Sequence, residues 1–191
     1  MDNTVGSRPA FGGIDPVTTE VFNQNSFEFS SYYTPTSLTR VRNIAEYISG
    51  YIDGEGCFSV TFNKKSAALL GWESRPSFSV SQNEGRRQVI DIMKEYFQCG
   101  YIRRDYSDKT LKFEVRNHED LMQKIIPHFE KFPFLSDKQK DFMLFNEICN
   151  IIDKNIHLTK KGFTGIVKLA YQMNGSGKRK RTTEEIIGAL S

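Results

Sequence analysis

From residue 37 onward, the spacing of apolar residues in this chain switches between two periods in a fixed order, and that order limits the folds open to it. Leu38, Val41, Ala45, Ile48 and Ile52 recur at three- and four-residue steps, which predicts a helix over about 37–54 with Ser37 as N-cap and Gly54 and Gly56 as its stop. Strict alternation follows. Phe58, Val60 and Phe62 oppose Cys57, Ser59, Thr61 and Asn63 over 57–63, and Phe78 and Val80 oppose Ser77, Ser79 and Ser81 over 76–82. The helical period returns at about 85–98 through Val89, Ile92, Met93, Tyr96 and Phe97. Two further strands fit 100–105 and 110–116, the second with Leu111, Phe113 and Val115 opposite Lys112, Glu114 and Arg116. Helices then fit about 118–131, 136–153, 159–173 and 183–190. This αββαββα order with trailing helices predicts an α+β fold whose four-stranded antiparallel sheet buries one face under helices. No second copy of the helix-and-strands unit occurs, so the chain is not an internal duplication.

The other face of that sheet is polar: Ser, Thr, Asn, Lys, Arg and Glu spread over four strands. Net charge is only +3, but it is uneven. Residues 39–191 carry 25 Lys and Arg against 19 Asp and Glu, whereas residues 1–38 carry Arg8 against Asp2, Asp15, Glu20 and Glu28. A basic body behind an acidic leader points to a polyanionic partner. Residues 1–37, rich in Gly, Pro, Ser, Thr and Asn, read as an irregular extension, and 38–191 as the working domain. No uninterrupted apolar run is long enough to span a membrane. The three cysteines, Cys57, Cys99 and Cys149, are far apart and suggest neither a disulfide framework nor a zinc site. With no secretory or transit signature, an intracellular, reducing compartment is expected: a bacterial or archaeal cytoplasm, or an organelle interior. His118, His128 and His157 lack the spacing of a metal site and read as capping or surface residues. Trp72 falls in a turn, with exposure expected.

The stretch that carries chemistry is Ile48-Ser49-Gly50-Tyr51-Ile52-Asp53-Gly54-Glu55-Gly56. Gly50 and Gly54 share one helical face beside the small Ser49, a surface against which another helix can lie backbone to backbone. Asp53 and Glu55 fall at the carbonyl end of the helix, the negative pole of its dipole, where a carboxylate is locally unfavourable. A divalent cation reverses that sign, and carboxylate with carbonyl oxygens is a hard-ligand set suited to Mg²⁺. An EF-hand is excluded, since Phe58 and Lys64 stand where its Gly and Glu belong. Alone, the string reads as well as a plain acidic turn.

These nine residues resemble the LAGLIDADG motif of homing endonucleases, with Glu55 replacing the final Asp. A single copy resembles the homodimeric, intron-encoded branch of that family. The resemblance extends through Phe78-Ser79-Val80-Ser81-Gln82, Arg86-Arg87, Gly100-Tyr101-Ile102-Arg103, Leu135-Ser136-Asp137-Lys138-Gln139-Lys140, and Asn174-Gly175-Ser176 with Lys178-Arg179-Lys180-Arg181-Thr182-Thr183. It implies a site-specific double-strand DNA endonuclease that cuts across the minor groove of a long pseudo-palindromic site as a homodimer. Glu55 and the Gly54 carbonyl would hold Mg²⁺ or another divalent cation. Gln82 would orient water, and Lys138 and Arg86 would stabilise charge at the scissile phosphate. Asp53 braces the motif, and Ser49, Gly50 and Asp53 fall in the dimer interface. Without the resemblance, Gln82 and Lys138 read as polar surface.

The implied major-groove face comprises Ser59, Thr61, Asn63 and Lys65, then Arg75, Ser77, Ser79 and Ser81, with Arg103, Lys112 and Glu114. Lys178, Arg179, Lys180 and Arg181 read alone as a solvated loop, and within the resemblance as phosphate contacts. An intron RNA maturase and a non-cleaving DNA-binding regulator of the same fold are the alternatives. An interaction module fits the polar sheet poorly.

Overall fold

The computed structural model describes residues 43–106, 109–175 and 179–190. The extension 1–37, with Leu38, Val41 and the expected cap Ser37, lies outside them. The first described helix, α1, runs Ile44–Glu55 and is capped by Asn43, whose side-chain oxygen accepts from the amides of Ala45 and Glu46 at 3.1 and 3.3 Å. The cap is therefore Asn43 rather than Ser37, and the helix runs one residue past Gly54. It stops where Gly56 turns to extended backbone and donates its N–H to the Ile52 carbonyl. A Cβ on Gly56 would sit 2.3 Å from Ile52 Cγ2 and 2.8 Å from Ile52 O, so only glycine lets the chain pass so closely over the last helical turn.

The strands β1 (Gly56–Lys64) and β2 (Trp72–Asn83) form an antiparallel pair in which Phe58 faces Phe78. A 3-10 turn (Glu84–Arg86) and helix α2 (Gln88–Phe97) lead to β3 (Tyr101–Asp105) and β4 (Thr110–Val115). The sheet order is β1-β2-β4-β3, antiparallel throughout. Strand β2 is longer than its alternation suggested and begins at Trp72, which is buried rather than exposed in a turn. Pro76, which has no N–H to give, lies where β2 is paired with β1 alone.

The next helix, α3, runs as an α-helical turn His118–Asp120, a π-turn Leu121–Ile125 and an α segment Ile126–Lys131. The π-turn has a local cause. Pro127 lacks an N–H and its ring would strike the carbonyl one turn back, and an extra residue in the turn relieves that clash. Helix α4 (Lys138–Asp153), a 3-10 turn (Ile156–Leu158), α5 (Lys160–Gln172) and α6 (Thr183–Ile187) complete the order, close to the sequence reading. Among the described residues, no helix is long and apolar enough to cross a membrane.

The core is aromatic. The Phe58 ring lies 5.1–5.8 Å, centroid to centroid, from Phe78, Phe129, Phe134, Phe142 and Phe145, mostly tilted or edge-on as ring quadrupoles prefer. This cluster joins the inner sheet face to α3 and α4. At the outer edge of β1, three carbonyls are taken by side chains from elsewhere. Gly56 O accepts from Lys138 Nζ at 2.5 Å, Phe58 O from Asn174 Nδ2 at 2.7 Å, and Phe62 O from an Arg181 terminal nitrogen at 3.4 Å.

Candidate active site

Helix α1 has two unlike faces. Ala45, Ile48, Ser49 and Ile52 are buried within the chain, and Glu46, Gly50, Gly54 and Glu55 are exposed. A Cβ added at Gly50 or Gly54 would meet none of the described residues within 4 Å. Ser49 is thus not part of an open interface. Its hydroxyl donates to the Phe132 carbonyl at 2.8 Å and lies 3.2 Å from His128 Nε2. His128, expected at the surface, is buried; burial pushes its pKa down to about 4. It is a neutral imidazole near pH 7, with one ring nitrogen as donor and the other as acceptor. Since the Ser49 proton goes to Phe132, Nε2 donates to Ser49 and Nδ1 accepts from the Tyr96 hydroxyl at 3.1 Å.

At the end of α1, Asp53 and Glu55 have different surroundings. The Asp53 carboxylate accepts from the amides of Leu135 and Ser136, both at 3.2 Å, and from the Ser136 hydroxyl. It is a brace. Glu55 is exposed at the carbonyl end of the helix, beside the last orphan carbonyls. Ser136 also accepts from the Lys138 amide at 3.1 Å, so the brace positions the start of α4, whose Lys138 ammonium donates to Gly56 O. From the other side, Gln82 near the end of β2 donates to the Tyr51 hydroxyl, and its own carbonyl accepts from the Asn83 amide at 2.7 Å. Gln82 and Lys138, 56 positions apart in sequence, therefore both reach the last turn of α1 or the residue after it. Arg86 is exposed on the 3-10 turn after β2. Tyr51 was missed, although it stands one helical turn before Glu55, a spacing that shares a face.

The polar sheet face is partly self-satisfied. Ser59 and Ser77 share a hydrogen bond at 2.9 Å, and Thr61 donates to the Arg75 carbonyl at 3.5 Å. Glu73 holds both Lys65 at 3.0 Å and Arg75 at 2.7 Å, and the Lys65 hydrogen bond leads the effects that lower its pKa. Asn63 and Ser81 are exposed, with Ser81 opposite a half-buried Lys112. Ser77, Ser79 and Glu114, nominated as groove contacts, are buried instead: Ser77 is paired with Ser59, and Glu114 lies between Ser79 and Tyr101 on the neighbouring strands. Glu114 is held by Tyr101, Arg103 and Arg116.

Of the basic loop, Lys178 lies outside the described residues and Lys180 is exposed. Arg179 and Arg181 are tied to the fold instead of extending freely. Arg179 donates to the Ala170 carbonyl and, at 2.9 Å, to that of Met173, with its guanidinium 4.6 Å over the Tyr171 ring. Arg181 stacks 5.1 Å over Trp72. Both arginines satisfy carbonyls that the end of α5 and the edge of β1 would otherwise leave bare.

The profile of the LAGLIDADG endonuclease family matches residues 48–149, more than half of the chain, beginning at the first residue of the α1 motif. The chain belongs to the LAGLIDADG endonuclease family. A probable intron-encoded endonuclease 2 of Neurospora crassa is 32% identical over 129 residues, covering 67% of this chain and 28% of its own length. The chain thus spans roughly a quarter of the first curated relatives it matches. The archaeal intron-encoded homing endonuclease I-Vdi141I, solved in complex with DNA, is 30% identical with a TM-score of 0.70, over 76% of this chain and 92% of that one. I-SmaMI, solved on uncleaved DNA in the presence of calcium ions, is 27% identical with a TM-score of 0.68, over 77% of this chain and 48% of that one. As a LAGLIDADG chain, it carries Glu55 as the final motif carboxylate.

Among the described residues, no three His, Cys, Asp or Glu side chains converge on one point. A complete protein cage for a metal is absent there. Mg²⁺, however, binds through one or two carboxylates together with waters and substrate phosphates. The carboxylate of Glu55 and the helix-end carbonyls are donors of that kind.

Proposed function

We propose that this chain is a site-specific DNA endonuclease that cuts both strands of a duplex and works as a pair of copies. The observation that carries the reading is the end of α1. An exposed carboxylate, an amide and an ammonium from three elements reach it, beside the stretch of helix where Gly50 and Gly54 carry no side chain. Two copies meeting through Gly50 and Gly54 bring two Glu55 carboxylates together across a two-fold axis. The span of the match supports this, since one neighbour is matched over nearly its whole chain and another over about half. Leu135, 98% exposed on the loop that Asp53 braces, adds apolar surface beside that face.

In this reading Glu55 and the Gly54 carbonyl hold the cation, beneath the minor groove of the duplex. Mg²⁺ bound there would supply Lewis-acid stabilisation of phosphate charge and a more acidic water. Lys138, already placed by the Asp53–Ser136 brace, sets a positive charge near the scissile phosphate as its negative charge builds. Gln82, fixed by Tyr51 and by the Asn83 amide, orients water by donating and accepting without itself ionising. The exposed Thr61, Asn63, Lys65, Ser81 and Arg103 on the open side of the sheet face the major groove. Arg86, exposed on the turn after β2, stabilises charge at the scissile phosphate with Lys138, and Lys180 contacts phosphates, which gives affinity that falls with salt and carries no sequence information. Residues 38–191 form the working domain.

The test is cleavage of a randomised duplex library in Mg²⁺ by wild type and Glu55→Gln. Loss of cleavage on the order of a thousandfold, with duplex binding kept, is expected. Equal cleavage by both proteins overturns the role of Glu55. Tight RNA binding with no duplex cut by either overturns the endonuclease.

A further inference from the structure

Glu114 is the one buried carboxylate of the sheet, and the endonuclease reading leaves it without a task. Its side chain is only 3% exposed, yet it lies on the polar face, opposite Ser79 on one side and Tyr101 on the other. A buried charge is costly unless paired and hydrogen-bonded. Here Oε2 accepts from the Tyr101 hydroxyl at 2.8 Å and from Arg103 Nε at 3.4 Å, and Oε1 accepts from an Arg116 terminal nitrogen at 3.0 Å. Burial would raise the Glu114 pKa, but Tyr101, Arg116 and Lys112 together hold it below the ordinary value. The carboxylate is therefore charged and has no oxygen turned to solvent as a free acceptor.

What it leaves over on its partners is informative. Arg103 spends Nε on Glu114, and among the described residues its two terminal nitrogens carry no bond, on a side chain 41% exposed. Those two nitrogens are the donor pair that takes the O6 and N7 acceptors of guanine in the major groove. Arg75, the other arginine nominated for base contact, is spent differently. Its Nε and a terminal nitrogen both face Glu73, so its fork is turned along the strand.

We propose that Glu114 is a positioning residue for sequence recognition. It touches no DNA; it clamps Arg103 through Nε, so that the terminal nitrogens of Arg103 stand ready for one guanine in each half of the duplex site. This rests on the DNA-endonuclease reading above. Gln at position 114 has one acceptor oxygen and an NH₂ that opposes an arginine, so it releases the clamp without emptying the space.

The experiment selects bound sequences from a randomised duplex library with the full chain as wild type, Glu114→Gln, Arg103→Lys and the double variant. Wild type is expected to show one guanine column per half-site preferred by about tenfold over other bases. Glu114→Gln flattens that column and leaves the others unchanged. Arg103→Lys keeps the charge and loses the fork; it flattens the same column, and the double variant goes no further. A merely structural Glu114 would weaken every column together, and that result overturns the clamp, as does an unchanged guanine column in Glu114→Gln. If Glu114→Gln does not fold, a guanine column kept by Arg103→Lys overturns it independently. A wild type that selects no sequence overturns the DNA-reading function itself, which separates the two failures.

Discussion

Ser49 and Gly50 are neighbours on one helix, both small, and the structure uses them in opposite ways. The Ser49 side of α1 is closed: its hydroxyl, His128 and Tyr96 satisfy one another in sequence, and Ile48 and Ile52 are sealed beneath them. On the Gly50 side, none of the described residues comes within 4 Å of where a Cβ would stand. Gly54 and Gly56 repeat the contrast two residues apart, one with no described residue in reach of a Cβ and the other pressed against Ile52. Small size in a motif therefore carries two meanings. On one face it admits the chain's own side chains and backbone. On the other it leaves a Cβ-sized space that no described residue fills.

Acid should break the closed side first. In the unfolded chain His128 titrates near the ordinary imidazole value of 6.5, and in the fold burial pushes it down to about 4. Between those values the unfolded state binds the extra proton, so stability falls as pH drops from 6.5 toward 4 and this group contributes no slope above 6.5. The loss at the bottom of that window is about 3 kcal/mol at most. Urea unfolding across the window, for wild type and His128→Gln, isolates it; identical slopes would count against a buried neutral imidazole. Next in size, Gly56→Ala should cost about 2–3 kcal/mol by driving a Cβ into Ile52, measured as a fall in the denaturation midpoint. Ser49→Ala should cost about 1–2 kcal/mol, because it strands the Phe132 carbonyl and His128 Nε2. A double variant with His128→Gln should cost less than the sum of the two. The smallest effect has the other sign. Gly54→Ala should raise the stability of the isolated chain by about 0.5–1 kcal/mol, as alanine does inside a helix, while weakening self-association in sedimentation. If the chain remains equally associated, the open face is not where copies meet.

Much of this was legible in the sequence because periodicity reports burial directly. The alternation of Phe58, Val60 and Phe62 named the core face of β1, and the order of elements gave the sheet. The division between Asp53 and Glu55 came only with the resemblance to the family motif; the string alone reads as an acidic turn. Contacts between distant residues were not readable. Ser49 is small whether it faces a partner or His128, and nothing in its own neighbourhood of sequence announces a contact 79 positions away. Trp72 and Arg181 are 109 positions apart, and neither local pattern announces that one will stack on the other. Glu114 and Arg116 share an alternating face with Lys112, so their meeting was available from the spacing, yet burial of the carboxylate came from strands β2 and β3.

The outer edge of β1 has a consequence for how this protein can self-associate. An edge strand with bare carbonyls and amides is a template on which another strand can be added. Here Lys138, Asn174 and Arg181 occupy the carbonyls of Gly56, Phe58 and Phe62, and two of the three come from the C-terminal tail. The sheet is terminated by side chains, much as a cap terminates a helix, and cannot lengthen at that side without first giving up those bonds. Shortening the chain before Asn174 would uncover two of these carbonyls together, and growth of intermolecular sheet is then the expected failure of the fold.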